Sequence, residues 1–199
     1  MELYVVRHGQ TDMNRLQIMQ GQTVVSSLDD RGRYEAECIG KRLKNISFDH
    51  IFSSDLKRCR ETSDIILSQS EYKREPVYTE TLRERSKGIF EGGPWENFRK
   101  YCAEEKDRIM KAPPGGESLE DVLKRTKNFA EMLKNTCSEN DRILAVTHQG
   151  LIKILLLCLL DMPLMYHRNF RFDNCSLTVF YLGDKYNRLI LANDTCHIK

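Results

Sequence analysis

Residues 3–14 read Leu-Tyr-Val-Val-Arg-His-Gly-Gln-Thr-Asp-Met-Asn. A short apolar run ends at Arg7-His8-Gly9, with Thr11 and Asn14 close behind. The run fits a buried strand, and strand C-termini are where open α/β sheets build their sites. An arginine beside a histidine, then a glycine, supplies what a phosphate pocket with a nitrogen nucleophile needs: a bidentate cation, an imidazole and close backbone approach. Taken alone, the tripeptide fits a strand end with a solvated Arg-His pair equally well.

Three further junctions carry matching chemistry. Ser53-Ser54-Asp55-Leu56-Lys57-Arg58 follows the apolar run 51–53. Leu82-Arg83-Glu84-Arg85 precedes Gly88 and Glu91-Gly92. Thr147-His148-Gln149-Gly150 follows the run 143–147. A transferring phosphoryl group spreads charge over three equatorial oxygens, so fixed cations stabilise its transition state. Arginine offers a rigid fork that lysine cannot match.

These junctions need elements to hold them. Strand-type runs occur at 3–6, 51–53, 143–147, 177–182 and 188–192, with helical spacing between them. Residues 30–44 place Tyr34, Cys38, Ile39 and Leu43 on one stripe. Residues 55–68 open at Asp55 as N-cap, 95–110 are amphipathic, 117–133 follow the breaker Pro113-Pro114-Gly115-Gly116, and 151–160 are apolar apart from Lys153. Alternating strands and helices predict an α/β fold, a three-layer αβα sandwich with a largely parallel central sheet, in a single domain spanning 1–199.

Composition narrows the function. The net charge of +2 across 199 residues suggests neither a nucleic-acid nor a membrane surface. The Ile152–Leu160 run is too short to span a bilayer, and Met1-Glu2-Leu3-Tyr4 does not open like a signal peptide. The seven cysteines are widely spaced, without Cys-x-x-Cys. That argues against a disulfide framework or structural zinc site and fits a reduced, cytoplasmic compartment. No Asp/Glu/His cluster with metal-ligand spacing stands out, so no metal or cofactor is expected. The sequence assigns no oligomeric state.

Read in order, the junctions resemble the histidine phosphatase superfamily, also called phosphoglycerate mutase-like, over nearly the whole chain. The resemblance rests on Arg-His-Gly-x-Thr-x-x-Asn at 7–14, Gln20-Gly21, Leu28 to Gly32 and Ser53-Ser54-Asp55-Leu56-x-Arg58-x-x-x-Thr62. It continues through Leu82-Arg83-Glu84, Gly88-x-x-Glu91-Gly92, Pro114-Gly115-Gly116-Glu117-Ser118 and Thr147-His148. Asn174-Cys175-Ser176-Leu177 and Asn193-Asp194-x-x-His197 complete it.

The resemblance implies roles. His8 is the nucleophile, and Arg7, Arg58 and His148 form the cationic phosphate pocket. Asn14 donates a further hydrogen bond, and Gln20 and Gly21 border the substrate. Glu84 gives a proton to the leaving oxygen. To attack, His8 must be neutral at one nitrogen, with the other donating to a backbone carbonyl. A protonated Glu84 needs its pKa raised by burial or by bound phosphate. Glu84 could alternatively belong to a structural ion-pair network, since two arginines flank it. Glu91 is the next candidate acid.

Other residues receive plainer readings. Arg83 and Arg85 read as rim or structural charges, Lys57, Arg60 and Lys87 as solvated, and His50, His167 and His197 as non-catalytic. Trp95 and Phe98 read as core, or as lining of a substrate lid. Two departures from the family pattern concern specificity. Val24-Val25-Ser26-Ser27 replaces an acidic-Pro stretch in a loop expected to face substrate, and Gln149 replaces a glycine, adding an amide that could read a substrate hydroxyl or point away.

The short segment from Glu84 to Pro113 favours a phosphatase over a mutase, because a mutase must shield its intermediate from water. The expected partner is a small phosphorylated metabolite: a sugar phosphate such as fructose-2,6-bisphosphate, or a phosphorylated hydroxy acid. A phosphoglycerate mutase and a silent phosphate-binding module are the alternatives.

Overall fold

The computed structural model describes residues 1–71, 74–105 and 109–198. Strand β1 (Glu2–Arg7) lies near the middle of a six-stranded sheet ordered β3-β2-β4-β1-β5-β6. Its companions are β2 (His50–Ser54), β3 (Val77–Thr79), β4 (Arg142–Thr147), β5 (Leu177–Leu182) and β6 (Asn187–Asp194). The pairs β1–β4, β2–β4 and β2–β3 are parallel; β1–β5 and β5–β6 are antiparallel. The register Arg7↔Thr147 aligns the C-terminal ends of β1 and β4, so His8 and His148 leave the sheet side by side.

Two cores flank this sheet because successive strand side chains point to opposite faces. Leu3, Val5, Ile143 and Ala145 pack with α5 (Leu119–Thr136) and α6 (Gln149–Leu159). Val6, Leu144 and Val146 pack with α2 (Asp30–Leu43) and α3 (Lys57–Ser68). This is the expected three-layer sandwich. The short α1 (Asp12–Arg15) follows β1, and α4 (Trp95–Glu104) crosses the sheet end that carries the histidines.

Four local expectations change. The edge strand β3 went unseen; three residues with Val77 exposed give too short a pattern to read. Helix α3 begins at Lys57 without a side-chain cap, and Asp55 instead pairs with Arg83. On α2, Tyr34 is exposed while Glu35 turns inward and accepts the Gln10 N–H at 3.0 Å. The expected 95–110 helix ends at Glu104, and residues 106–108 lie outside the described residues.

Candidate active site

The end of β1 delivers Arg7 and His8 into a cavity of about 700 Å³, within the range of small-molecule sites. His8 is 3 % exposed, and its Nδ1 lies 2.7 Å from the carbonyl oxygen of its neighbour Gly9. Nδ1–H therefore donates, and Nε2 keeps its lone pair. Burial first, then the charges of Arg58 and Arg7, hold the imidazole pKa well below its ordinary value. The neutral form expected of a nucleophile is thus the resting form. Asn174 fixes the backbone by donating Nδ2 to the His8 carbonyl at 2.9 Å. Gly9 is required for a different reason than ligand approach: a Cβ there would sit 2.4 Å from the Gly32 carbonyl oxygen on α2.

Arg7 and Arg58 form the walls. Arg7 Nη1 donates to the Phe172 carbonyl at 2.7 Å, and Arg58 Nη2 to the Gly21 carbonyl at 2.8 Å. Neither arginine has a carboxylate within 4.0 Å among the described residues. Their buried Nε atoms have no protein acceptor. Burying an unpaired charge costs several kcal/mol, so this arrangement is built to meet an anion.

His148 is fully buried, with its ring centroid 5.1 Å from that of His8. The Ser54 hydroxyl receives Leu56 N–H at 3.3 Å and stands 2.9 Å from His148 Nε2. Cys59 Sγ lies 3.3 Å from the same nitrogen, so Ser54 and Cys59 together fix the ring. Burial and then Arg58 push the His148 pKa well below its ordinary value, so the ring is neutral in the ligand-free site. Asn14 also points its donor inward. Its Oδ1 accepts from Thr11 N and Oγ1 at 3.2 and 3.1 Å in a capping box, which leaves Nδ2 for a ligand. Gln20 is fixed similarly, its Oε1 accepting the Ser26 hydroxyl at 2.6 Å. Gly21 and Gln149 also line the cavity.

Glu84 supplies the one carboxylate among the lining residues. Its Oε1 accepts from Arg85 N at 2.7 Å and its Oε2 from Gly150 N at 3.0 Å. Burial pushes its pKa up, but Lys87, the two backbone N–H donors and Arg58 together hold it below the ordinary value. Burial alone therefore does not make it an acid, and only an arriving anion can. Glu91 is not among the cavity-lining residues; it accepts from Gln22 N, Thr23 N, Ser86 Oγ and Lys87 N at 2.6–3.1 Å, as a loop anchor.

Three expectations about bystanders are revised. Lys87, read as solvated, lines the cavity, where burial lowers its pKa to about 8. His167 lines it as well, whereas residues 24–28 do not. A grouping of His50, Cys137 and Asp141, with donor atoms within 4.8 Å of one another, lies at the opposite end of the strands. No sequence spacing reveals it because each residue comes from a different segment. Arg83 behaves as expected, bridging Asp55 and Glu80. Trp95 and Phe98 line the cavity from α4, which is the lid reading. The overlooked positioning residues are Ser54 and Asn174, whose signal was their place in the quoted motifs.

Comparison with known proteins agrees with this geometry. A sequence profile of the "Histidine phosphatase superfamily (branch 1)" matches residues 3–195. Fructose-2,6-bisphosphatase TIGAR of Bos taurus is 40 % identical over 136 residues, which cover 66 % of this chain and 50 % of that protein. A broad-specificity phosphatase of Saccharomyces cerevisiae is 33 % identical over 187 residues, covering 92 % and 80 %. The crystal structure of the α-ribazole phosphatase from Shigella flexneri superposes with a TM-score of 0.87 at 26 % identity, covering 98 % of this chain and 97 % of that one. The chain spans about half the length of the TIGAR proteins it matches. With a profile matched almost end to end, and with His8, both arginines and the carboxylate in one cavity and His148 packed behind His8, this chain belongs to branch 1 of the histidine phosphatase superfamily.

Proposed function

We propose that this chain hydrolyses small phosphomonoesters through a phosphohistidine on His8, without a metal ion. The observation that carries the reading is the tautomer of His8: Nδ1 is committed to Gly9 at 2.7 Å, and Nε2 is free between two arginines. The Nε2 lone pair attacks phosphorus, the ester P–O bond breaks, and Glu84 gives its proton to the leaving oxygen. Water then attacks phosphorus, the P–N bond breaks, and Glu84 takes the water proton. Inorganic phosphate leaves and His8 regains its lone pair. Arg7, Arg58, Asn14 and His148 hold the three equatorial oxygens throughout.

Arrival of a phosphate dianion beside Glu84 supplies the field that raises its pKa, which the ligand-free site does not. A cavity of about 700 Å³ exceeds a phosphate and admits a metabolite-sized leaving group. The relatives' names cite different leaving groups, so the shared element is the phosphomonoester. The family profile matches residues 3–195, which supports reading 1–199 as one catalytic domain. Among the described residues no helix is long and apolar enough to cross a membrane, and none of the seven cysteines is paired. The unpaired cysteines support a reduced, cytoplasmic setting.

The test is phosphate release from sugar phosphates, phosphoglycerates, phosphoserine and an aryl phosphate, with chelator present. Chelator-resistant turnover that disappears in His8→Ala supports the reading. Turnover that survives His8→Ala, or isomerised product without phosphate release, overturns it.

A further inference from the structure

At the end of the sheet away from the phosphate cavity, three side chains with metal-binding donor atoms meet. His50 opens β2, Asp141 immediately precedes β4, and Cys137 caps the C-terminus of α5. The parallel register His50↔Ile143 sets the starts of β2 and β4 side by side. His50 Nε2 lies 3.0 Å from Asp141 Oδ2. With Cys137 Sγ included, the three donor atoms lie within 4.8 Å of one another.

The backbone holds the group in place. Asp141 Oδ2 accepts the Ser138 N–H at 2.8 Å, and the Asp141 N–H donates to the Ser138 carbonyl at 3.1 Å, which turns the carboxylate back towards the end of α5. The Cys137 N–H donates to the Leu133 carbonyl at 2.9 Å and fixes the last turn of the helix. The thiol itself is loosely engaged. It forms no disulfide, and its partner, the Thr136 hydroxyl, stands 3.7 Å away and gives its own hydrogen to the Met132 carbonyl at 2.7 Å.

The donor set has a chemical preference. A thiolate with an imidazole suits borderline-soft zinc, whereas calcium and magnesium take oxygen ligands. One thiolate and one carboxylate carry two negative charges, which match a divalent ion. Donor atoms about 2.0–2.3 Å from a tetrahedral zinc stand roughly 3.3–3.7 Å from one another. The 3.0 Å pair and the 4.8 Å limit straddle that spacing, so small side-chain rotations complete the geometry. All three residues are half-buried, and Cys137 lines a surface cavity of about 390 Å³ that gives an ion a way in.

We propose that His50, Cys137 and Asp141 form a zinc site, separate from the phosphate pocket, that clamps the end of α5 to the starts of β2 and β4. Water fills the fourth position. On binding, the Cys137 thiol gives its proton to solvent, and the hydrogen between His50 Nε2 and Asp141 moves to Nδ1 as the ion takes its place. The two clamped strands end at Ser54 and at Thr147, beside His148, so the ion braces them at their far ends. Hydrolysis itself stays metal-free.

The experiment adds Zn²⁺, or Co²⁺ as a spectroscopic probe, to the reduced full chain after chelator stripping. One equivalent of Co²⁺ is expected to bind and to give a thiolate-to-cobalt band in the near ultraviolet. Zn²⁺ at about 100 times its Kd should raise Tm by roughly 5–10 °C, and Mg²⁺ at the same concentration should not. Cys137→Ser should abolish the band. His50→Gln should weaken binding by more than the roughly 10- to 100-fold that even an outer-shell change costs a metal site. Cys196→Ser, at the exposed cysteine, should change neither band nor affinity. Asp141→Asn keeps an acceptor for the Ser138 N–H, so weaker binding there at an unchanged metal-free Tm reports ligation rather than misfolding. Binding without a thiolate band, a band that survives Cys137→Ser, or an unmoved Tm overturns the site. These readouts need no turnover, so they stand or fall apart from the phosphatase reading.

Discussion

The carboxylate of Glu84 rests on the backbone N–H of Gly150 at 3.0 Å, which ties the candidate acid to the first turn of the helix that follows His148. A Cβ on residue 150 would lie 2.0 Å from Glu84 Oε1. The obstacle is the tip of a flexible side chain, so it can swing away at small cost. Gly150→Ala is therefore expected to change stability by no more than about 1 kcal/mol, the gain of alanine over glycine in a first turn being offset by the N–H bonds that the displaced carboxylate gives up. Turnover should fall at least tenfold as Glu84 is displaced. A melting curve and a kcat measurement on one preparation check both halves. Normal turnover would mean the Glu84–Gly150 contact is dispensable.

Glu84→Gln keeps the shape but removes the proton. With substrates whose leaving group is a poor one, such as a sugar alkoxide, turnover is expected to drop about 10²–10⁴-fold. With an aryl phosphate, whose leaving oxygen departs without protonation, the deficit should shrink to under about tenfold. Equal deficits on both substrates would move the acid role elsewhere.

Arg58 separates stability from function. It is 1 % exposed and has no ion-pair partner among the described residues. Arg58→Met should therefore hold or gain thermal stability in the absence of anion, because an unpaired buried charge is removed. Inorganic phosphate or vanadate should raise Tm in wild type and lose that effect in the variant. Loss of kcat/KM by about 10²–10³-fold is expected alongside. An undiminished Tm response to phosphate would place the anion site away from Arg58.

Two buried histidines tie stability to pH. The pKa values of His8 and His148 lie well below 6.5 in the folded chain, by burial first and by neighbouring cations second. Above pH 6.5 both are neutral whether folded or unfolded, and nothing is lost. Below it the unfolded chain takes up protons that the folded chain refuses, so stability falls as pH falls. Each histidine contributes a slope approaching about 1.4 kcal/mol per pH unit. Urea unfolding at pH 7 and pH 5 should show a smaller acid loss for His148→Gln than for wild type. Equal losses would show that His148 protonates freely in the fold.

Much of this protein is legible in the chain itself. A run such as Leu3–Val6 alternates between two cores and stops at Arg7-His8, so strand, depth and site follow from hydrophobicity and its abrupt end. The Thr11–Asn14 capping box is equally local, and it orients the Asn14 donor. Hydrogen bonds between near neighbours need no tertiary partner, which is why such signals survive in one dimension. The charged residues of 80–92 are different. Arg83, Arg85, Lys87 and Glu91 look alike as polar loop residues. Packing sends Arg83 to Asp55, seats Arg85 and Lys87 on Phe98, and fastens Glu91 to Gln22 and Thr23. The protonation states were decided the same way. A carboxylate or imidazole takes its pKa from desolvation and from charges brought close in space. For Glu84 the neighbours that offset burial are Lys87 and Arg85 in its own loop together with Gly150 and Arg58, which lie far away along the chain. Residue type and order determined which groups this site contains; the fold determined which of them are charged, paired and free to meet a substrate.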